Sequence, residues 1–440
     1  MKRDPEALQD REHDVLVIGG GIAGAWVARE ASSRGLKTAL VELEDFGQGT
    51  SWSSLKTAHG GLRHLQRFDL AGFRESVRER RALLRVAPEV VRPLSFAIPT
   101  RGLAEQVKFL LAGLANDVLA YDRNEGLRTD RWIGASRVIG SAEAASLGAA
   151  AFSSAGAFVW QDAQITHTER LLMGLLHAAS EASTVVINRC RIEACVRTSR
   201  GFELKATDLP SGREVSIRAR TIVNAAGAQL ETVANLLGET CASPPLIRGV
   251  NVVLSRDLTP GLAVGGRDRG RFLFLVPWLG RSMLGTIYDD GRRPEGDLIR
   301  ELVEAGGRAF PWAGVHGDDV TAVQAGHVPG APNGEPIYRS RLIAHGDPRL
   351  LSILTAKYTT ARGTAESTVD RIGQALSISL PSSVSARQDL KMARPLSGPL
   401  EDRIRWVEDT EMALSRADAV RGRLIEGAFG SKVDSRASQA

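Results

Sequence analysis

Cysteine is sparse and unpatterned in this sequence. Its 440 residues contain three, Cys190, Cys195 and Cys241, with no C-x-x-C spacing. Such an odd set excludes a disulfide framework and a paired-cysteine zinc site, and it implies a reducing compartment. Long apolar runs are missing too: no stretch reaches the roughly 18 residues that a bilayer-spanning helix needs. The opening residues, MKRDPEALQDREHD, are too charged for a secretory signal. The expectation is a cytosolic protein, with peripheral attachment to the inner face of a membrane left open. An excess of one charge is lacking as well. The 56 Lys and Arg nearly balance 51 Asp and Glu, and no basic block resembles a nucleic-acid arm. No nucleic-acid partner and no metal are expected. Neither repeats nor low-complexity tracts occur, and the length allows two or three domains around a large core.

What is present is concentrated in Asp14 to Glu42, DVLVIGGGIAGAWVAREASSRGLKTALVE. Val15 to Ile18 is apolar without alternation, as a buried parallel strand is. Gly19, Gly21 and Gly24 follow as G-x-G-x-x-G. The first permits a tight turn, the second admits a pyrophosphate to the backbone, and the third packs helix on strand. The spacing predicts a helix over 22–33, whose N-terminal N–H groups at Ile22, Ala23 and Gly24 suit a pyrophosphate. A strand over 38–41 ends in Glu42, placed to accept from a ribose 2′-OH and to disfavour a 2′-phosphate.

The second block runs from Asp45 to Leu65, DFGQGTSWSSLKTAHGGLRHL. Its Gly, Ser and Thr content lets backbone approach a ligand, with the Thr50 and Ser51 hydroxyls available to phosphate oxygens. Lys56, His59, Arg63 and His64 are suited to redox chemistry on a small anion, and Gly60-Gly61 allow a flat cofactor to lie against bare backbone.

Further along, Phe73 to Val86 reads as a charged helix without chemistry, and Pro88, Pro93 and Pro99 punctuate the route out of the first lobe. Leu103, Val107, Leu110, Leu111, Leu114, Val118 and Tyr121 form an apolar stripe at helical spacing. The stripe is expected to pack against its own domain, an interfacial helix on a membrane being the alternative. Trp160 to Ala163 precedes a helix over 166–182. Strands are expected at 184–187, 192–197, 202–207 and 214–217, and again at 251–255, 272–276 and 282–286 in a separate sheet. Two more buried strands, 221–224 and 350–354, run into the small-residue turns Ala225-Ala226-Gly227 and Thr355 to Thr360. Three strand ends from distant parts of the chain imply one long cofactor across one sheet.

With those residues in view, the chain resembles FAD-dependent glycerol-3-phosphate dehydrogenases of the D-amino-acid-oxidase-like flavoprotein superfamily. The likeness covers roughly 12 to 380 and rests on D-V-x-V-I-G-G-G-I-x-G-A at 14–25. It rests still more on T-S-x-x-S-x-K-x-x-H-G-G-L-R, matched at Thr50, Ser51, Ser54, Lys56, His59, Gly60, Gly61, Leu62 and Arg63. The resemblance implies noncovalent FAD and hydride transfer from a secondary alcohol to the flavin, with electrons passing to a quinone. The cofactor set it suggests is Gly19, Gly21, Ile22, Ala23, Gly24, Glu42, Thr50, Ser51, Lys56, His59, Gly60, Gly61, Ile192, Ala225, Gly227, Lys357, Tyr358 and Thr359. The catalytic set is His59, Arg63, His64 and Lys357. Arg63 would hold the anion, His59 or His64 would accept a proton, and Lys357 would stabilise developing charge.

The chain departs from the family's pattern at several places. His64 stands where the family has Tyr. Thr355-Ala356-Lys357 replaces G-G-K, and Gly326-His327-Val328-Pro329 replaces G-V-R-P, without its phosphate-binding arginine. A charge-assisted bond contributes roughly 1.5–3 kcal/mol, so this loss weakens a phosphodianion about ten- to a hundredfold. The expected fold is α/β: a Rossmann-like FAD-binding domain of the glutathione-reductase-2 type over 12–100, 155–235 and 335–380, and an antiparallel-sheet substrate domain over 101–154 and 236–334. A short helical tail over 381–440 completes it. Two alternatives are an oxidase or dehydrogenase of a 2-hydroxy acid, amine or sugar derivative, and a flavin-binding paralogue without turnover that acts in a complex.

Overall fold

The apolar run after His13 forms the centre of a parallel sheet. Val15, Leu16 and Val17 are fully buried in the strand Glu12–Ile18. The computed structural model describes residues 1–147, 156–390 and 399–414, which fall into two units.

The first unit holds the described residues of 1–52, 167–246 and 327–428. Its sheet runs in the order Arg341–Ala344, Leu350–Leu354, Arg213–Asn224, Glu12–Ile18, Thr38–Val41, Val185–Ile187. The hairpin Cys190–Arg197 and Phe202–Asp208 joins through Arg213–Asn224. Glu12–Ile18, Arg213–Asn224 and Leu350–Leu354 are adjacent and parallel, with Ile18 level with Asn224 and Asn224 level with Ser352. The three expected turns therefore leave one edge of one sheet, where the carboxyl ends of parallel strands form a binding crevice. The helix Ile22–Ser33 packs against Thr168–Glu181 and Ala361–Ala375. Leu16, Val41, Ile222 and Leu350 lie in one apolar core. The segments expected as separate strands at 214–217 and 221–224 are one strand, because its outer half pairs with Phe202–Asp208 while its inner half enters the parallel core.

The second unit holds the described residues of 53–166 and 247–326. Its sheet runs Val320–Pro329, Leu246–Leu254, Arg281–Asp289, Arg271–Trp278, Leu262–Asp268, Val91–Pro99, Ala157–Ile165, Thr57–Ala58. The helix Glu295–Ala309 covers one face through Leu298, Leu302 and Ala305. This division moves residues 53–100 from where they were expected. Thr57 and Ala58 pair with Gln164 and Ala163, and Val91–Pro99 pairs along its whole length with Ala157–Ile165. The signature block thus crosses from one unit to the other within a few residues, and the prolines at 93 and 99 sit inside a strand of the second sheet.

The apolar stripe does form a helix, Leu103–Leu119, but its packing is the reverse of the expectation. Leu103, Val107, Leu110, Leu111, Leu114, Val118 and Tyr121 are exposed, while the opposite face meets the unit through Gly113 and through Phe109, stacked on Phe158 at 5.0 Å. Of the expected tail, the helix Leu400–Thr410 is described, and 391–398 and 415–440 lie outside the described residues.

Candidate active site

In the first unit the glycine turn is shaped by close backbone approach. Gly19 has φ +112°, and a Cβ there would stand 2.6 Å from the Ala225 carbonyl oxygen. A Cβ at Gly24 would collide with the Gly19 carbonyl. The turn is tied to its neighbours: Gly19 N–H donates to the Val41 carbonyl and Ala225 N–H to that of Ile18, both at 2.8 Å. At the start of the helix, Ile22 N–H donates to Ser51 Oγ at 2.9 Å. Thr50 Oγ1 donates to the His327 carbonyl at 2.7 Å, so the segment that departs from the family's G-V-R-P pattern lies beside the signature loop. The Glu42 carboxylate accepts from the N–H groups of Gly20 and Glu44. Burial raises its pKa, and those two bonds oppose the shift. Ala23 is buried in the first turn of the helix.

The other strand ends are equally fixed. Asn224 donates from Nδ2 to the Leu230 carbonyl and accepts at Oδ1 from Ala226 N–H, closing the turn before Gly227, whose φ is +57°. In the turn after Leu354, Ala356 N–H donates to Ser340 Oγ and Tyr358 Oη donates to the Thr168 carbonyl at 2.8 Å. Burial lifts the Tyr358 phenol well above its ordinary range. Thr359 is buried, and Lys357 Nζ lies 5.5 Å from the centre of the Tyr338 ring. Ile192 packs its side chain on the core of this unit. A cavity lined by Phe46, Gly47, Ser51, Trp52, Thr168 and Leu172 opens beside the signature loop. A bare glycine turn against a second bare turn, a helix start whose N-cap is the side-chain-free Gly21 and an acid at the second strand end fit a dinucleotide.

In the second unit, His59 is about half exposed and its Nδ1 lies 3.1 Å from Asp162 Oδ2. Its other nitrogen, Nε2, lies 2.9 Å from Thr57 Oγ1. Asp162 is buried; its Oδ1 also accepts from Gly60 N–H at 2.6 Å and from Arg80. Burial alone would raise this carboxyl, but the bonds from His59, Arg80 and Gly60 outweigh it and hold it below the usual aspartate range. A Cβ at Gly60 would meet the Arg80 guanidinium, and Gly61 has φ +93°, so both glycines are required by local geometry.

The other signature residues have different places. His64 is buried, with Nδ1 2.9 Å from Asp69 Oδ2, while Asp69 Oδ1 caps the helix Leu70–Val86 by accepting from Gly72 N–H. Lys56 is fully buried, with Nζ 5.3 Å from the centre of the Trp278 ring. Arg63 is exposed on the short helix Leu62–Leu65. Asp162 and Arg80 were not among the expected site residues. Asp162 stands in the apolar stretch Ala157–Ile165, and a charged residue in a strand of that composition was the available signal.

Among the described residues, no group of three or more His, Cys, Asp or Glu could hold a metal ion. The three cysteines are free, and burial pushes the Cys190 thiol up to about 11. The chain resembles known proteins over most of its length. The probable mitochondrial glycerol-3-phosphate dehydrogenase of Caenorhabditis elegans is 31% identical over 411 residues, covering 84% of this chain and 55% of that protein. The chain thus spans little more than half of that relative. The aerobic glycerol-3-phosphate dehydrogenase of Staphylococcus aureus (strain USA300) is 30% identical over 389 residues, 84% of this chain and 68% of the relative. The solved glycerol-3-phosphate dehydrogenase of Bacillus halodurans, complexed with FAD, superposes with a TM-score of 0.67 at 23% identity, covering 97% of this chain and 77% of its own, and so shares the fold. A family model described as FAD dependent oxidoreductase matches residues 14–371, from the first strand to the helix after the third turn. With the glycine turn and its acid in place on that span, the chain belongs to the FAD dependent oxidoreductase family, with FAD as its cofactor.

Proposed function

We propose that this chain is an FAD-linked dehydrogenase of a small anionic secondary alcohol, with glycerol 3-phosphate as the substrate to test first. The observation that supports it best is the His59 ring, exposed on one side and tied to a buried carboxylate on the other, four residues before the exposed Arg63. The names of the relatives point to the same substrate. FAD supplies the acceptor for two electrons and the hydrogen of the substrate C–H bond, transferred as hydride. Gly19 to Gly24 and Glu42 would hold its pyrophosphate and ribose, and Lys357 would supply positive charge to stabilise its reduced form. Arg63 holds the substrate anion. His59 accepts the hydroxyl proton as general base; the buried His64, bonded to Asp69, is assigned no proton transfer. With Val328 where the family carries an arginine, the phosphate is held more weakly than in relatives. Anaerobic titration of the yellow protein tests this: bleaching of the flavin by glycerol 3-phosphate supports it, and a spectrum that stays oxidised sends the search to 2-hydroxy acids and amines.

The electrons are proposed to pass to a quinone, and the outward face of Leu103–Leu119 supports peripheral attachment to a membrane. Leu103 is 76% exposed on that face, Tyr121 just after the helix is 80% exposed, and Phe68 is 90% exposed. No helix among the described residues is long and apolar enough to cross a membrane. Co-sedimentation with anionic phospholipid vesicles, lost in L110E/L114E, is the expected result; equal binding by both proteins would remove the assignment.

A further inference from the structure

Asp162 divides its two oxygens between different tasks. It stands in the strand Ala157–Ile165, level with Leu94 of the neighbouring strand, where an unpaired carboxylate would be costly. Oδ1 meets that cost: it accepts from Arg80 and from Gly60 N–H. Oδ2 is left for the His59 ring at 3.1 Å and, more loosely, for Trp160 Nε1 at 3.3 Å. The scaffold is therefore satisfied without His59, and the second oxygen acts on the ring.

We propose that Asp162 is a positioning residue for His59: it fixes the imidazole as the Nδ1–H tautomer and leaves Nε2 as the atom that takes the substrate's proton. An ionised carboxylate accepts, so Nδ1 must donate, and in the neutral ring Nε2 then carries the lone pair. Thr57 Oγ1, 2.9 Å from Nε2, is a hydroxyl that can donate to that lone pair and turn away when a substrate hydroxyl takes its place. The Nδ1 edge faces a buried group while the ring as a whole is 47% exposed, so the accessible edge is the Nε2 edge. When the hydroxyl proton reaches Nε2 the ring becomes cationic. Asp162 stabilises that charge, and the proton stays on His59. Arg80 keeps Asp162 itself from turning, since its guanidinium and Gly60 N–H grip the other oxygen.

The proposal rests on His59 as the base, and its test does not depend on which alcohol is the substrate. The holoenzyme labelled with 15N-histidine is examined by NMR, the His59 signal among 8 histidines being identified by its loss in H59Q. The expected wild-type signature is a protonated Nδ1 and a bare Nε2, reversed in D162N, where an amide would donate to Nδ1. A wild-type His59 with its proton on Nε2 overturns the proposal even if D162N fails to fold. In kinetics, D162N is expected to lower kcat on the order of 10²-fold with KM held within about twofold. On the H59Q background the same change is expected to cost less than about threefold, because a residue that acts through His59 has nothing left to position. Additive losses in the double variant would show that Asp162 serves the scaffold, and would end the assignment. If glycerol 3-phosphate leaves the flavin oxidised, the substrate reading fails while the tautomer measurement still decides this one.

Discussion

His59 and His64 stand close in sequence and make the same bond, ring Nδ1 to an aspartate, at 3.1 Å and 2.9 Å. Their surroundings separate them. The side chain of His59 is 47% exposed and its aspartate 4%, whereas that of His64 is 6% exposed and its aspartate 27%. In the first pair the carboxylate is hidden and the ring is offered; in the second the ring is hidden and the carboxylate caps a helix. A carboxylate–histidine pair is therefore not itself a sign of catalysis. Which member is exposed separates the two, and that depends on where the aspartate comes from: a strand a hundred residues downstream, or the next turn of chain.

The largest effect expected from breaking this contrast is chemical. H59Q should slow flavin reduction by the substrate about 10²- to 10⁴-fold, the usual contribution of general base catalysis. H64Q should leave that rate within a few-fold, as stopped-flow bleaching would show; equal losses in both variants would erase the distinction drawn here. The glycines sharpen it next. A Cβ at Gly60 meets the Arg80 and Asp162 side chains, and one at Gly72 meets Asp69 and His64. G60A should therefore displace the first pair and reduce kcat on the order of 10²-fold. G72A should leave kcat near that of the wild type and lower the melting temperature. Smaller still is D69A, which removes the cap accepted from Gly72 N–H at 2.9 Å. Denaturant titration should show a loss of about 0.5–2 kcal/mol with no change in KM.

A third pair supplies a separate test and a pH sign. Glu411 bonds Arg170 and His177 within the first unit. Burial would raise its pKa, but those partners prevail and bring it to about 2 from an ordinary 4.5. The folded value lies below the unfolded one, so the stabilisation is complete above the ordinary glutamate range and fades as pH falls towards 2. Melting curves should consequently fall more steeply over that window in the wild type than in E411Q. Parallel slopes would show that the pair carries no such linkage.

Much of the first unit was legible because its signals are local. The helix Ile22–Ser33 and the strands Thr38–Val41 and Leu350–Leu354 have the limits that periodicity and the glycine punctuation indicate. The stripe from Leu103 shows where that kind of reading stops. Its spacing correctly gave a helix, but periodicity cannot tell whether an apolar face meets a core or the outside, and here Phe109 and Gly113 face inward instead. Thr57–Ala58 escaped notice as a strand because two residues carry no period; they are a strand through pairing with Ala163 and Gln164.

By itself, then, the sequence determined the glycine turn, the acid Glu42 at the second strand end and the signature that carries His59, since glycine conformations and short-range hydrogen bonding depend on neighbours in the chain. The tertiary structure alone decided which histidine is offered and which is buried. It also decided that Asp162 and Arg80 stand behind the first. Those contacts join residues separated by about a hundred positions, and burial, which sets the charge state and the accessible edge of each group, exists only after the sheets have formed.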